Sequence, residues 1–173
     1  KYKGSVLGVF WSLLEPLAKF SIMFLVFSFV FKSDIQYYPL YLFSGMVCWN
    51  FFCYSSSMCV NRVLQHGNLV KKVKFPREIL VVSAVLSSVV FFLIELIPVL
   101  LLLFYFGVFS GWWLFWFLPF LLVFFLLNLG VGFFLAATNV VFRDTQYIWS
   151  VVLQAGFFAT PIFYELGSFP LKA

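Results

Sequence analysis

Long apolar runs separated by short polar segments dominate the chain. Five such runs, rich in Phe, Leu and Val, cover residues 17–31, 38–58, 80–106, 114–141 and 148–161. A helix needs about 20 apolar residues to cross the hydrocarbon core of a bilayer. Because lipid offers no partners to free backbone groups, continuous runs of this kind are expected to be helical. The pattern predicts an all-α integral membrane protein, a polytopic helix bundle with five spans in this sequence.

The first 16 residues follow a different pattern. Lys1 and Lys3 precede a mixed stretch that is too short and too polar at its start to span a bilayer. Such a stretch favours an amphipathic helix in the membrane interface over residues 1–16. Pro16 removes a backbone donor, so it is expected to break or kink the chain before the first span. That span is short, and Lys19 is expected to extend its ammonium group to the interface.

Composition supports the membrane interpretation. Hydrophobic residues make up 64% of the chain and charged residues 10%, against roughly 25% charged in soluble domains. The mean hydropathy is +1.08. Too few polar side chains are present to cover a soluble fold, so a soluble protein is excluded.

The distribution of basic residues predicts the orientation. The connection over residues 60–79 carries most of the loop charge, as Arg62, Lys71, Lys72, Lys74 and Arg77, with Glu78. Basic loops remain on the cytoplasmic side, so this placement explains the net charge of +5 without nucleic-acid binding. The loop over residues 32–37 and Gly111 should face outward. We expect the abrupt ends to be cuts in a longer protein, with a sixth span beyond residue 173.

The segment 67–80, GNLVKKVKFPREIL, mixes positive charge with apolar residues. Two interpretations fit: a solvated loop that only sets topology, or a docking element whose apolar side chains enter a groove on a soluble partner. The apolar residues favour docking. The predicted element comprises Lys71, Lys72, Lys74, Phe75, Pro76, Arg77 and Glu78.

Polar residues line one face of the second run. Asn50, Cys53, Ser57 and Asn61 recur at helical spacing, with aromatic residues around them. Close helix packing and a pathway wall that contacts sugar rings both fit this pattern. Glu95 adds an ionisable group near mid-bilayer, where such groups face a bundle interior or a cavity. The predicted pathway set is Trp49, Asn50, Phe52, Cys53, Tyr54, Ser57 and Glu95.

The sequence shows no arrangement for catalysis or metal binding. The three cysteines lie in one predicted helix without a second cluster, which is typical of small packing residues. No nucleophile–base set and no phosphate-cradling glycine loop is found. We therefore predict no catalytic residue, no metal and no cofactor in this chain. In the fourth run, Asn128, Gly132, Ala136 and Asn139 share a face on which close helix packing is favoured.

Five blocks resemble the permeases of ABC exporters for O-antigen, capsule and teichoic-acid chains. In chain order they are KYKGSVLGVFWSLLEPL, YPLYLFSGMVCWNFF, LVKKVKFPREIL, NVVFRDTQYI and TPIFY. The resemblance implies a six-span subunit that forms a homodimer in the bacterial inner membrane. It implies a separate ATPase subunit, which holds ATP and Mg and docks on the loop between spans two and three. It also implies a route for a lipid-linked glycan along the dimer axis, with Arg143 and Asp144 near the cytoplasmic entrance.

Two other functions remain open at this point. One is an ABC exporter of a drug or small lipid, which shares the same architecture. The other is a membrane-embedded glycan or lipid transferase, which should carry polar catalytic residues in an interfacial loop. The single histidine, His66, has no carboxylate neighbour in the sequence, so the transferase is less favoured.

Overall fold

The computed structural model describes residues 11–30, 37–65, 76, 78–109 and 111–162. These residues form five α-helices and no strand. The helices are α1 (Trp11–Val30), α2 (Tyr38–Gln65), α3 (Glu78–Tyr105), α4 (Gly111–Val141) and α5 (Thr145–Ala159). The all-α prediction is therefore confirmed for the described part of the chain, whereas the interfacial helix falls largely outside it.

Two helices, α3 and α4, are long and apolar enough to cross a membrane by length and composition. The qualifying ranges are Glu78–Tyr105 and Phe115–Val141, and only 22% of the most apolar stretch of each is buried. A core helix of a soluble protein would be mostly buried, so these outward apolar faces are suited to lipid. A shorter apolar stretch, Leu17–Val26, lies in α1. The other predicted spans do not meet this test on their own, since α2 is more polar and α5 has 15 residues.

Of the two outcomes expected at Pro16, the break is wrong, and the kink stays a prediction. The helix α1 runs without interruption from Trp11 to Val30 and includes Pro16. A proline removes one backbone hydrogen bond but does not end a helix whose remaining bonds and neighbours hold it. Pro98 in α3 and Pro119 in α4 are likewise inside continuous helices.

Helix α2 is the central element, because it contacts each of the other four helices. Towards α3 and α4 it buries Phe43, Val47 and Phe51. Phe92 and Val99 of α3 complete that cluster. Near its first turns it buries a second cluster against the segment that follows α5. That cluster consists of Tyr38, Leu42, Met46 and Ile162.

Small residues allow α2, α3 and α4 to approach closely. A Cβ atom added at Gly132 of α4 would lie 2.8 Å from Cys59 Sγ and 3.3 Å from Val81 Cγ1. Asn139 of α4 is fully buried and donates to the carbonyl of Val60 at 2.7 Å. The predicted packing face of α4 is thus confirmed, since Asn128, Gly132, Ala136 and Asn139 are all buried.

Local chemistry ends α3 and starts the next helices. Gly107 has φ +65°, and its N–H donates to Phe104 while the N–H of Val108 donates to Leu103. This is a Schellman motif, in which glycine takes the left-handed position at low cost. At the other end of α4, the Asp144 carbonyl accepts from the N–H groups of Tyr147 and Ile148. The connection between α4 and α5 is therefore a tight turn of three residues, 142–144.

Candidate translocation surface on α2

The predicted pathway residues occupy three adjacent sides of the middle of α2. Successive helical positions differ by about 100°, and the observed contacts assign each side. One side faces α3 and carries Asn50 and Tyr54. Another faces α5 and carries Trp49 and Phe52. Between them lies a side that carries Cys53 and Ser57, which we call the open strip.

The side facing α3 brings two predicted residues together. The Asn50 amide Nδ2 donates to Glu95 Oε2 at 3.4 Å, across 45 positions of sequence. Both side chains are partly buried, and Asn50 lies about 18 Å along the helix axis from Tyr38. An amide beside a carboxyl group lowers the free energy of burying an ionisable group at this depth. The buried Ser88 hydroxyl of α3 donates to the Ala84 and Val85 carbonyls of its own helix.

One helical turn further along α2, an aromatic pair lies on the same side. The rings of Tyr54 and Phe91 meet edge to face, with centroids 5.2 Å apart. Tyr54 lies four positions after Asn50, and Phe91 lies four positions before Glu95. The α2–α3 side thus combines an amide, a carboxyl group and aromatic rings. Groups of these types can hydrogen-bond sugar hydroxyls and contact sugar rings.

The side facing α5 is an aromatic interface. The Trp49 ring lies 5.7 Å from that of Phe52 and 6.3 Å from that of Phe157. Gly156 allows this approach, because a Cβ atom there would lie 2.9 Å from the Trp49 ring. Trp149 adds the polar contact: its indole N–H donates to Ser56 Oγ at 3.0 Å, and its ring meets Phe52 edge to face.

The open strip is the accessible part of this surface. Ser57 is exposed and Cys53 is half-buried. Asn61, which continues the polar stripe of the sequence, is also half-buried. Between the aromatic α5 side and the polar α3 side, the strip therefore leaves a polar face of α2 partly accessible among the described residues.

Sequence reasoning missed four residues of this surface: Ser56, Phe91, Trp149 and Phe157. Ser56 and Phe91 lie in runs where neighbouring serines and phenylalanines have the same local pattern, so no sequence signal separates them. Trp149 and Phe157 were detectable in part. They recur at helical spacing in the most polar of the late apolar runs, which is typical of a helix face that packs.

Arg143 and Asp144 lie apart from the α2 surface, in the turn between α4 and α5. Both are exposed. Their side chains form no ion pair with one another, and Asp144 begins α5 without a side-chain cap. The neighbouring Thr145 hydroxyl instead donates to the Phe142 carbonyl at 2.6 Å. Both side chains are accessible, and their role at a cytoplasmic entrance stays a prediction.

The predicted docking element lies mostly outside the described residues, since these include only Pro76 and Glu78 of its members. Both are exposed. The Pro76 carbonyl accepts from the Ile79 N–H at 3.3 Å, and Glu78 sits in the first turn of α3. A carboxylate there is stabilised by the helix dipole. This end of the loop leads directly into α3.

In the part of the chain that the structure describes, no group of three or more His, Cys, Asp or Glu residues could hold a metal ion. The three cysteines of α2 are free thiols, with Cys59 buried and Cys48 and Cys53 half-buried. Their surroundings are helix-packing positions, as Cys59 against Gly132 illustrates.

The sequence that forms these helices is matched by the model of a known family. The model of the ABC-2 type transporter membrane domain matches residues 1–173. The chain belongs to the ABC-2 type transporter family. The chain is therefore a transporter membrane domain, and the outward apolar faces of α3 and α4 are expected to contact lipid.

Curated relatives align with nearly the whole chain. The chain is 32% identical over 168 residues to the O-antigen export system permease protein RfbA of Myxococcus xanthus, covering 97% of this chain and 65% of that one. It is 27% identical over 173 residues to two proteins of the same name from Klebsiella pneumoniae, covering 99% of this chain and 67% of theirs. The chain thus spans about two-thirds of the length of the curated relatives it matches.

Proposed function

We propose that the chain is the membrane-spanning permease subunit of an ATP-driven exporter that moves a lipid-linked polysaccharide across the bacterial inner membrane. The observation that carries the proposal is the similarity to three O-antigen export permeases over 97–99% of this chain. Because the similarity covers the helices of the α2 surface, it includes the residues that would contact a substrate.

The α2 surface suits a glycan better than an apolar drug. A sugar chain presents hydroxyl groups and flat apolar ring faces. The Asn50–Glu95 pair offers hydrogen-bonding groups, and Trp49, Phe52 and Tyr54 offer aromatic faces. In this proposal the open strip faces the pathway, and the aromatic α5 side forms its flank.

Transport of this kind needs energy and a closed route. The proposal assigns ATP and Mg to a separate ATPase subunit that docks on the 60–79 loop. It assigns the closed route to a homodimer, since closed symmetric oligomers are the usual solution for membrane subunits with too few helices. The multi-pass topology has the 60–79 loop and Arg143 in the cytoplasm, as the loop charges predict.

Export itself is tested in the native organism. Deletion of the gene should abolish surface polysaccharide and leave its lipid-linked precursor on the cytoplasmic side, and the wild-type gene should restore export. Surface polysaccharide is measured by immunoblot, and precursor by extraction. Normal surface polysaccharide after deletion would contradict the proposal. Loss of resistance to an apolar drug, with the polysaccharide intact, would favour the drug exporter.

The pathway assignment is tested by thiol labelling. In a chain with Cys48, Cys53 and Cys59 replaced by serine or alanine, Ser57→Cys should react with a membrane-impermeant thiol reagent. Leu122→Cys, at an exposed apolar position of α4, is the matched control and should stay unlabelled because lipid covers it. Equal labelling at the two positions would remove Ser57 from the pathway.

A further inference from the structure

A cavity of about 410 Å³ opens between α2, α4 and the segment that follows α5. This volume lies within the range of roughly 300–1,000 Å³ that is usual for small-molecule sites. Its deep part is lined by Trp49 and Phe52 of α2 and by Phe124 and Leu127 of α4. Trp49 and Phe52 also belong to the proposed pathway flank, so the cavity adjoins the proposed route.

The polarity of the cavity changes along its length. Its end near the start of α2 carries the hydroxyl groups of Tyr41, Ser44 and Thr160. The Tyr41 hydroxyl donates to the Pro161 carbonyl, which joins the two walls at this end. Phe52 lies about 16 Å further along the helix axis, where the lining is apolar and aromatic.

This gradient matches the gradient of a bilayer leaflet. Tyr41 and Ser44 lie within about two turns of Tyr38, at the helix end where interfacial aromatic residues are expected. In the predicted orientation that end faces outward, so the cavity descends from the outer surface towards mid-bilayer. A molecule with a polar head and a long hydrocarbon chain would satisfy both ends of it.

We propose that the cavity holds the hydrocarbon tail of the exported glycolipid while the glycolipid enters the outer leaflet. The proposal rests on the proposed function, and it deepens it by placing the lipid part of the substrate. The tail lies against Phe124, Leu127 and Phe52, and the phosphate-bearing head lies beside the hydroxyl groups of Tyr41 and Thr160. Trp49 and Phe52 then lie between the glycan route and the cavity. A lipid-linked glycan needs this arrangement, because its sugar chain and its hydrocarbon tail occupy different surroundings.

The test uses the full-length permease with its ATPase partner in proteoliposomes. Two photoactivatable probes are compared: a long-chain polyprenyl phosphate with a diazirine in its tail, and a phosphatidylcholine with a diazirine in an acyl chain. Mass spectrometry of the wild-type protein should map the polyprenyl label to the walls around Phe124 and Leu127. Unlabelled polyprenyl phosphate should compete with it, and the phosphatidylcholine label should be spread over exposed faces of α3 and α4.

A matched pair of variants tests the site itself. Leu127→Trp fills the cavity and should remove the polyprenyl label, whereas Leu126→Trp, at a neighbouring exposed leucine outside the cavity, should keep it. Monodisperse co-purification with the ATPase partner shows that each variant is folded. Polyprenyl labelling that Leu127→Trp leaves unchanged, equal labelling by both probes, or a wild-type cavity that neither probe labels would each overturn the proposal.

The two proposals fail in different ways. If surface polysaccharide does not depend on the gene but the polyprenyl probe still labels the cavity, the proposed function is wrong and the lipid site stands as a property of the protein. If export depends on the gene but the cavity is not labelled, the lipid site is wrong and the function stands.

Discussion

At the scale of single residues, the position of a glycine on its helix decides how closely a neighbouring helix approaches. Gly132 and Gly130 lie two positions apart on α4, yet their surroundings differ completely. A Cβ atom at Gly132 would meet Cys59 and Val81, whereas one at Gly130 would meet nothing within 4 Å. Residue type alone does not distinguish the two glycines. They differ because they lie on different faces of α4.

Gly132→Ala should therefore destabilise the bundle. The added methyl group overlaps Cys59 Sγ, and overpacking of this kind typically costs about 1–3 kcal/mol. Thermal unfolding of the purified permease, followed by loss of monodisperse protein on gel filtration, measures the effect. Gly130→Ala is the control and should be neutral or slightly stabilising, since alanine is the better helix former.

A compensating change makes this prediction sharper. Cys59→Ala removes the sulfur atom that the new methyl group would meet, so the double variant should recover much of the stability that Gly132→Ala loses. If the losses of stability from the two single changes simply added in the double variant, the new methyl group would not be clashing with Cys59, and the α2–α4 contact would have adjusted elsewhere.

At the scale of elements, α5 differs from the other late helices. None of its residues is buried. It contacts α2, partly through the Trp149–Ser56 hydrogen bond and the Trp49–Phe157 ring pair, and it contacts α4. A helix that buries none of its side chains has a lower free energy of local detachment than α3 or α4.

Trp149→Phe should loosen α5 without unfolding the bundle. The phenylalanine keeps a ring against Phe52 but loses the N–H donor, and a neutral hydrogen bond is worth about 0.5–1.5 kcal/mol. Hydrogen exchange should become faster across residues 145–159 and stay unchanged in α3. Trp116→Phe, at an exposed position of α4, is the control; faster exchange throughout the protein in the Trp149 variant would argue against a local role.

At the scale of the whole molecule, the predicted topology rests on the loop charges and the proposed partners rest on the family, not on the packed core. The described helices form one bundle around α2, and the family membership identifies that bundle as a transporter membrane domain. The predicted docking element lies largely beyond the described residues. Its proposed role in docking is tested by substitution of Phe75.

Cysteine accessibility should report the predicted orientation. Single cysteines introduced at Lys72 and Arg143 should react with an impermeant reagent only after the inner membrane is opened. Cysteines at Asp34 and Gly111 should react in intact spheroplasts. Outward labelling at Lys72 would reverse the orientation and, with it, the placement of the cavity in the outer leaflet.

Phe75→Ala should weaken the ATPase contact. A buried aromatic anchor at an interface commonly contributes about 2 kcal/mol or more, so the ATPase should co-purify poorly and export should fall while the permease still inserts. Lys71→Ala should have a smaller effect, because exposed charges contribute little. Full ATPase retention and normal export with Phe75→Ala would reduce the loop to a topology signal.

The sequence by itself determined the membrane class, the helical content and the family. The membrane class and the helical content follow from the long apolar runs, because lipid requires an apolar, internally hydrogen-bonded segment along the whole of a span. The family follows from blocks of residues that can be compared without knowing their contacts. The polar stripe of α2 and the packing face of α4 were also predictable, since helical spacing fixes which residues share a face.

Only the tertiary structure decided what each face meets. It placed Asn50 against Glu95 and Trp149 against Ser56, pairs that are 45 and 93 positions apart. It also showed that α1 continues through Pro16 and that a cavity lies beside Trp49. The physical reason is the same in each case: periodicity specifies a direction around one helix, whereas contacts depend on how several helices are placed beside one another.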